Sequence, residues 1–302
     1  MLHTVAKLHY VSDLSQVQIA KQLGLSTATI SRLLQRARAE GIVRIEVRDL
    51  YQPDELGAAL AVRLGLRQVA VVDAPAPGVL PAMAAPLMRM LQAAGLGPGS
   101  VLVIGWGRTV SAVIETGLPA IPGVHVVPST GGMSQHAEHF QSNEFSRRAA
   151  GVTGGIPHFI HAPYLPDPAV LGIFLAEPSV AQSVALWDRI DAAVVGIGMP
   201  YGLDRPSTGA STQAHPQLAD SAGDVVRHYF RRDGSVIDWQ GEGQMIAVSA
   251  AQLRAAPLVI GLAMGEPKVV SIIGAARAGL INALVTDART AEAVLESLSH
   301  EG

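Results

Sequence analysis

The chain has 302 residues, 49% of them hydrophobic and 16% charged, with no cysteine and a formal net charge of −3. That length suits two domains, and that composition describes a well-cored globular protein, which excludes a disordered chain, a disulfide framework, a thiolate metal site and a cysteine nucleophile. Nothing resembles a signal peptide and the apolar runs are short and broken by Gly or Pro, so no membrane span and a cytoplasmic location are expected.

In chain order, Leu2 to Tyr10 reads as a leading helix. Gln16 to Arg38, QVQIAKQLGLSTATISRLLQRAR, then reads as two short amphipathic helices around a tight turn. Val17, Ile19, Ala20 and Leu23 are the apolar positions of the first, Gly24 and Leu25 make the turn, and Ser26 is a good N-cap. Ile30, Leu33, Leu34 and Ala37 face inward from the second helix. Its outer face then carries short hydroxyls followed by cations and an amide, the pattern of a DNA-binding helix-turn-helix. The DNA-contacting residues expected are Ser26, Thr27, Ala28, Thr29, Ser31, Arg32, Gln35 and Arg36. After Gly41, Ile42 to Arg48 alternates apolar and charged like an edge ribbon, which makes the motif a winged one.

Residues 1–50 carry seven Lys or Arg against four acids, a net +3, and the remainder carries −6. A modestly basic head on an acidic body suits a protein that touches double-stranded operator DNA with its head alone. A head of +3 binds weakly by itself, so a homo-oligomer, dimer or tetramer, is expected to present one head to each half-site.

Residues 51–66 read as a linker or oligomerisation helix with Leu56, Leu60 and Leu64 on one face, although ordinary packing fits that face equally well. The body, 67–302, alternates strand, Gly-rich turn and helix. Strands are expected at 68–72, 101–104, 125–127, 158–161, 192–195, 258–264 and 283–286, with helices at 80–95, 109–114, 144–150, 177–187, 268–279 and 290–298. Near-continuous apolar strands between helices predict an α/β, Rossmann-like, mainly parallel sheet covered on both faces, with ligands beyond the carboxyl ends of the strands.

Gly105-Trp106-Gly107-Arg108-Thr109 follows one such strand. Its glycines allow backbone N–H groups to approach an anion, and the next helix N-terminus and two donor side chains add to that potential. A glycine turn needed only for strand-to-helix packing explains the same residues equally well. Lys268 opens another helix beyond a strand and is a second candidate cation for the same anion, although taken alone it reads more readily as a solvated lysine. Gly196-Ile-Gly198 lacks a correctly placed third glycine and a prompt helix, so no nicotinamide or flavin cofactor is expected. His136-Ala-Glu-His139 has no third ligand at a suitable spacing, so no metal is expected either.

Seven stretches together carry a family resemblance: IAKQLGLSTATISRLLQRARAEGIV, VLVIGWGRTV, VPSTGG, HAPYLP, AAVVGIG, GDVVRHYFRRDGSVID and GEPKVVSIIGAARAGLINALVTDARTAEAVL. In that order they resemble the SorC-type (SorC/DeoR-like) bacterial transcriptional regulators over essentially the full length. The resemblance implies a sugar-binding, oligomerising body similar in fold to sugar-phosphate isomerases and aminosugar-phosphate deaminases, acting as a sensor without catalysis, in tetramers built as pairs of dimers. It implies that Gly105, Trp106, Gly107, Arg108, Thr109 and Lys268 hold the phosphate or polar end of a sugar, polyol or sugar-phosphate effector. Gly131, Gly132, Gln141, Asn143, Gly196, Gly198 and Asp224 would line the part that reads hydroxyls. Two departures from the family stand out: Arg231 and Arg232 stand where an acid is common, and Thr130 offers no lysine for imine formation with an aldose. The rival expectation is an isomerase- or deaminase-like enzyme, which needs an acid–base pair from His136, Glu138, His139, Asp191 and Asp224.

Overall fold

The computed structural model describes residues 1–43, 53–74, 78–132, 141–201 and 216–301. Two compact units divide the chain, Met1–Leu50 and Tyr51–Gly302.

The first unit holds three helices, α1 (Leu2–Tyr10), α2 (Gln16–Leu23) and α3 (Thr27–Ala39). Ser15 and Gln18 form a reciprocal capping box that starts α2. Gly24 ends it at φ +66°, a left-handed conformation that glycine adopts without steric cost. The Ser26 hydroxyl then accepts the Thr29 N–H at 3.1 Å and starts α3. Val5, Ile19, Ala20, Ile30 and Leu34 are buried together between the three helices. Val17, expected on the inner stripe, is 67% exposed instead. It sits two residues before Ile19, about 200° around the helix, so both cannot face the same core. Most of the expected wing, from Arg44 onward, lies outside the described residues.

The second unit begins with α4 (Pro53–Leu64), β1 (Gln68–Val72), α5 (Val79–Ala82), α6 (Ala84–Ala93), β2 (Val101–Ile104), α7 (Arg108–Thr116), β3 (His125–Pro128) and α8 (Ser142–Thr153). It continues with β4 (Ile156–Pro157), α9 (Pro168–Ala176), α10 (Pro178–Val184), β5 (Ala192–Gly196), β6 (Gly223–Val225) and β7 (His228–Phe230). The last elements are α11 (Ala250–Ala255), β8 (Leu258–Leu262), α12 (Val269–Arg277), β9 (Ala283–Asp287) and α13 (Ala288–Ser299). Among the described residues, seven strands pair in parallel in the order β1-β9-β8-β5-β2-β3-β4. Successive residues of the central strands serve opposite cores. Val101, Val103, Ala193 and Val195 join one apolar cluster, and Leu102, Ile104, Ala192 and Val194 join the other. A strand buried on both faces reads as a continuous apolar run for that reason.

The segment read as a linker or oligomerisation helix is built into the body. Leu56, Leu60 and Leu64 of α4 are buried in one of the two cores, and α4 runs so close to β1 that a Cβ on Gly57 would stand 2.7 Å from the Val69 carbonyl oxygen. The helix expected over 80–95 is two helices meeting at Met83, because the Pro86 ring cannot coexist with a helical Ala82 carbonyl four residues earlier. No strand runs over 158–161. The amide of Asn143 takes both the N–H and the C=O of Ile160, at 2.9 and 3.1 Å, and removes them from any ladder; β4 ends at Pro157. The helix expected over 177–187 is α10 followed by a 3-10 turn at Ala185–Arg189.

At the start of β3, His125 Nδ1 lies 2.8 Å from His158 Nε2. Burial, then the neighbouring His125 and Arg189, hold the His158 pKa below its usual value. The unfolded chain therefore takes up this proton first as the pH falls below the ordinary histidine range. Stability is expected to be full above about pH 6.5 and to decline as the pH falls from there toward the folded value. Thermal melts of the His158→Asn variant between pH 7.5 and 5 should show a shallower decline than the parent; an identical profile would discount this contribution.

Candidate functional site

A cavity of about 400 Å³ lies beyond the carboxyl ends of β2, β5 and β8. From β2 the chain continues to β3 on one side of the sheet, whereas from β5 it goes on to β8 on the other, so adjacent β2 and β5 bracket the point where connections diverge. Clefts of open parallel sheets form there because the departing loops separate.

Gly105-Trp106-Gly107 leaves β2 and enters α7 at Arg108, and Gly105 through Val110 line the cavity. The two glycines serve different needs. Gly105 is a packing glycine: a Cβ there would meet Val195 Cα at 3.0 Å, and its N–H is spent on the Val194 carbonyl at 2.8 Å. Gly107 has φ +116° and caps α7 without a side chain, which leaves the first-turn N–H groups to other acceptors.

The end of β5 supplies Gly196, and the loop after it supplies Ile197, Gly198 and Met199. Gly198 donates its N–H to the Asp224 carbonyl at 2.8 Å, and a Cβ there would stand 1.9 Å from Asp224 Oδ1. Its bareness is what seats the Asp224 carboxylate. Asp224 comes from β6, is 6% exposed, and its Oδ2 accepts the Arg227 N–H at 3.0 Å. Lys268, just before α12, donates from Nζ to the Ile197 carbonyl and closes the rim beside Pro267.

The other four expected effector residues do not line this cavity. Gly131 and Gly132 are spent on packing: a Cβ on Gly131 would stand 2.6 Å from the Ala162 oxygen, and the Gly132 N–H binds that same oxygen. Both ends of the Asn143 amide are committed to Ile160. Gln141 is an exposed residue at the start of α8. Thr130 is buried against Ser142, and Arg232 lies on the surface, bound to Glu301 and Ser297. Of the acid–base candidates, His136, Glu138 and His139 lie outside the described residues. Asp191 is committed to the Val101 N–H at 2.7 Å, at the amino end of β2 and hence the opposite sheet edge. Among the described residues no three histidine or carboxylate side chains gather as a metal set.

Arg227 is the cavity residue that sequence reasoning missed. It is 4% exposed, with its guanidinium carbon 4.7 Å from the Trp106 ring centroid and Nη1 donating to the Tyr229 hydroxyl at 3.0 Å. Burial pushes the Tyr229 and Tyr164 hydroxyls up, so both stay neutral beside it. The residue sits in the turn of the β6–β7 hairpin, whose Val-Arg sequence carries none of the usual Gly or Asn signals.

In the first unit, Ile30, Leu34 and Ala37 bury one side of α3, while Ser26, Thr27, Ala28, Arg32, Gln35, Arg36 and Arg38 are exposed and Thr29 and Ser31 are half-buried. Arg36 holds Glu40 at 2.8 Å, and Arg32 lies back along the helix with Nε 3.4 Å from the Ala28 oxygen. Among the described residues no single helix is long and apolar enough to cross a membrane.

Comparison with known proteins gives a consistent result. The Sugar-bind family, a sugar-binding domain, matches residues 48–296, and sigma-70 region 4 matches residues 7–40. The sorbitol operon regulator of Klebsiella pneumoniae is 32% identical, over 97% of this chain and 96% of its own length. The transcriptional regulator LsrR of Enterobacter sp. (strain 638) is 30% identical, over 96% and 91%. The crystal structure of the full-length SorC regulator from Klebsiella pneumoniae superposes with a TM-score of 0.73 at 31% identity, covering 97% of both chains.

Proposed function

We propose a mechanism for a chain that belongs to the SorC-type family of sugar-binding transcriptional regulators, DNA-binding proteins and not enzymes. The body binds a sugar, polyol or sugar-phosphate in the cavity between β2, β5 and β8, and that binding changes the affinity of the heads for operator DNA. One observation carries this reading: the Gly105–Thr109 loop, the Gly196–Gly198 loop, Asp224 and Lys268 come from four separate stretches and meet around a single cavity.

The α7 N-terminus with Arg108 and Lys268 holds one polar end of the effector. Asp224, an acceptor able to take two hydroxyls, reads the carbon chain. The name of the Klebsiella pneumoniae relative, a sorbitol operon regulator, favours a polyol or its phosphate. The protein works in the cytoplasm as a homo-oligomer, dimer or tetramer. Helix α9 supports the assembly: none of its nine residues, PAVLGIFLA, is buried, and Ile173 is 69% exposed. A ligand shifts the arrangement of heads only by its differential affinity for two states, a coupling of roughly 1–3 kcal/mol.

The test is a thermal-shift screen of the full chain against polyols, sugars and their phosphates, with each hit carried into gel shifts on the promoter of its own gene. A ligand that both stabilises the protein and changes DNA affinity is the expected result; DNA binding that ignores every stabilising ligand would refute the mechanism. For the head, Arg32→Ala should cost roughly 1–3 kcal/mol on the operator and less on random DNA, relaxing sequence preference. Arg38→Ala should weaken both about equally and lower the salt slope by about one. Equal losses on both DNAs for Arg32→Ala would count against this placement of α3 in the groove.

A further inference from the structure

Val226 and Arg227 form the two-residue turn between β6 and β7, with φ of 53° and 67°. Turns with both central residues left-handed favour Asn-Gly or Gly-Gly, and a β-branched residue followed by a long cation is disfavoured at both places. Strain of this kind persists where the surroundings hold it in place, and it clusters at ligand sites.

The cation held there is buried and incompletely satisfied. Nη1 has the Tyr229 hydroxyl, but Nε and Nη2 are buried with no hydrogen-bond acceptor among the described residues. Asp224 turns its Oδ2 to the backbone N–H of Arg227, and no carboxylate among the described residues comes within ion-pair distance of the guanidinium. The Trp106 ring covers one face. The two unsatisfied donors are the parallel pair on one edge of the guanidinium plane, the fork that fits two oxygens of a carboxylate or phosphate side by side. A buried guanidinium remains charged, Asp224 acts on it electrostatically without reaching it, and the two N–H groups are left for an acceptor such as an oxyanion.

We propose that Arg227 receives an oxyanion of the effector in a side-on bidentate pair, so that the ligand is an acidic polyol derivative with its carboxylate or phosphate on Arg227. This rests on the cavity being the sugar site.

The experiment is calorimetric titration of the full-length protein with D-sorbitol, D-gluconate, D-sorbitol 6-phosphate and 6-phosphogluconate, repeated on Arg227→Gly and Arg227→Lys. Glycine is at home in this turn, so the first variant keeps the hairpin. At least one acid should bind the parent 10-fold or more tighter than sorbitol. Arg227→Gly should lose 30-fold or more for that acid with sorbitol little changed, and Arg227→Lys should fall between, because it keeps the charge without the fork. Gluconate or the phosphate as the tighter ligand identifies the oxyanion. Acids bound equally by parent and Arg227→Gly, or more weakly than sorbitol by the parent, overturn the proposal and leave the sugar site standing. Failure of all four ligands on the parent overturns the proposal, whereas the wider screen of sugars, polyols and their phosphates decides the sugar-site reading. Melting of the ligand-free proteins gives an independent reading: relief of strain and of two buried unsatisfied donors should leave Arg227→Gly at least as stable as the parent. A fall of several degrees would mark Arg227 as a structural residue and overturn the proposal.

Discussion

Replacing Ile30 by alanine is expected to unfold the Met1–Leu50 unit and abolish operator binding while the body still melts cooperatively and responds to its effector. Ile30 is fully buried, and among the described residues only Val5, Ile19, Ala20 and Leu34 share that core as buried residues. Truncating a buried isoleucine costs about 2–5 kcal/mol, through lost transfer free energy and the cavity left behind. A unit of about 50 residues buries too little apolar surface to hold much more than that in reserve. The body has separate apolar clusters of its own, so its melting should change little. Gel shifts and calorimetry on the same preparation separate the outcomes. Near-parental DNA affinity in Ile30→Ala would show that α3 does not depend on this core. For the stability of this unit, replacing the exposed Arg36 should remove only its surface pair with Glu40, which contributes well under 1 kcal/mol, although its DNA contact would go with it.

The difference between these two residues was legible in the sequence, because apolar spacing in α3 directly reports which side is inside. The same holds for β2 and β5, whose uninterrupted apolar residues have a buried place on both faces of a parallel sheet. The Gly105–Thr109 loop was legible as a glycine turn between a strand and a helix, but not the division of labour within it. That Gly105 packs against β5 while Gly107 opens the end of α7 depends on which strand lies beside β2, a long-range fact that local spacing does not carry. Asn143 shows the same limit from the other side. An amide near a glycine loop is chemically apt for hydroxyls, but its two ends match the backbone of Ile160, which is distant in sequence. The β6–β7 hairpin escaped because its turn breaks the residue rules by which turns are recognised, and Arg227 escaped with it. Leu56, Leu60 and Leu64 made a visible stripe, yet a stripe names no partner; the answer was the chain's own sheet.

The second large effect is expected from Gly198→Ala. The added methyl would stand 1.9 Å from Asp224 Oδ1, far inside contact distance, and 3.4 Å from the Asp224 nitrogen, which is ordinary contact. The clash is therefore with the carboxylate, and overpacking of this kind costs about 1–3 kcal/mol. Moving the carboxylate also pulls on the turn, since its other oxygen accepts the Arg227 N–H. Effector affinity should fall about 100-fold, roughly 2.7 kcal/mol, from displacement of the hydroxyl-reading acceptor. Asp224→Ala should lose a similar amount of affinity without the added methyl. Combining the two separates clash from chemistry. With no carboxylate to strike, the alanine methyl should cost little more, so the double variant should be more stable and bind better than the summed single losses allow, by 1 kcal/mol or more in each measurement. Denaturant titrations and effector calorimetry on the four proteins of that cycle provide the check. Strict additivity would mean that Gly198 serves the backbone alone, and that Asp224 holds its place in the cavity without it.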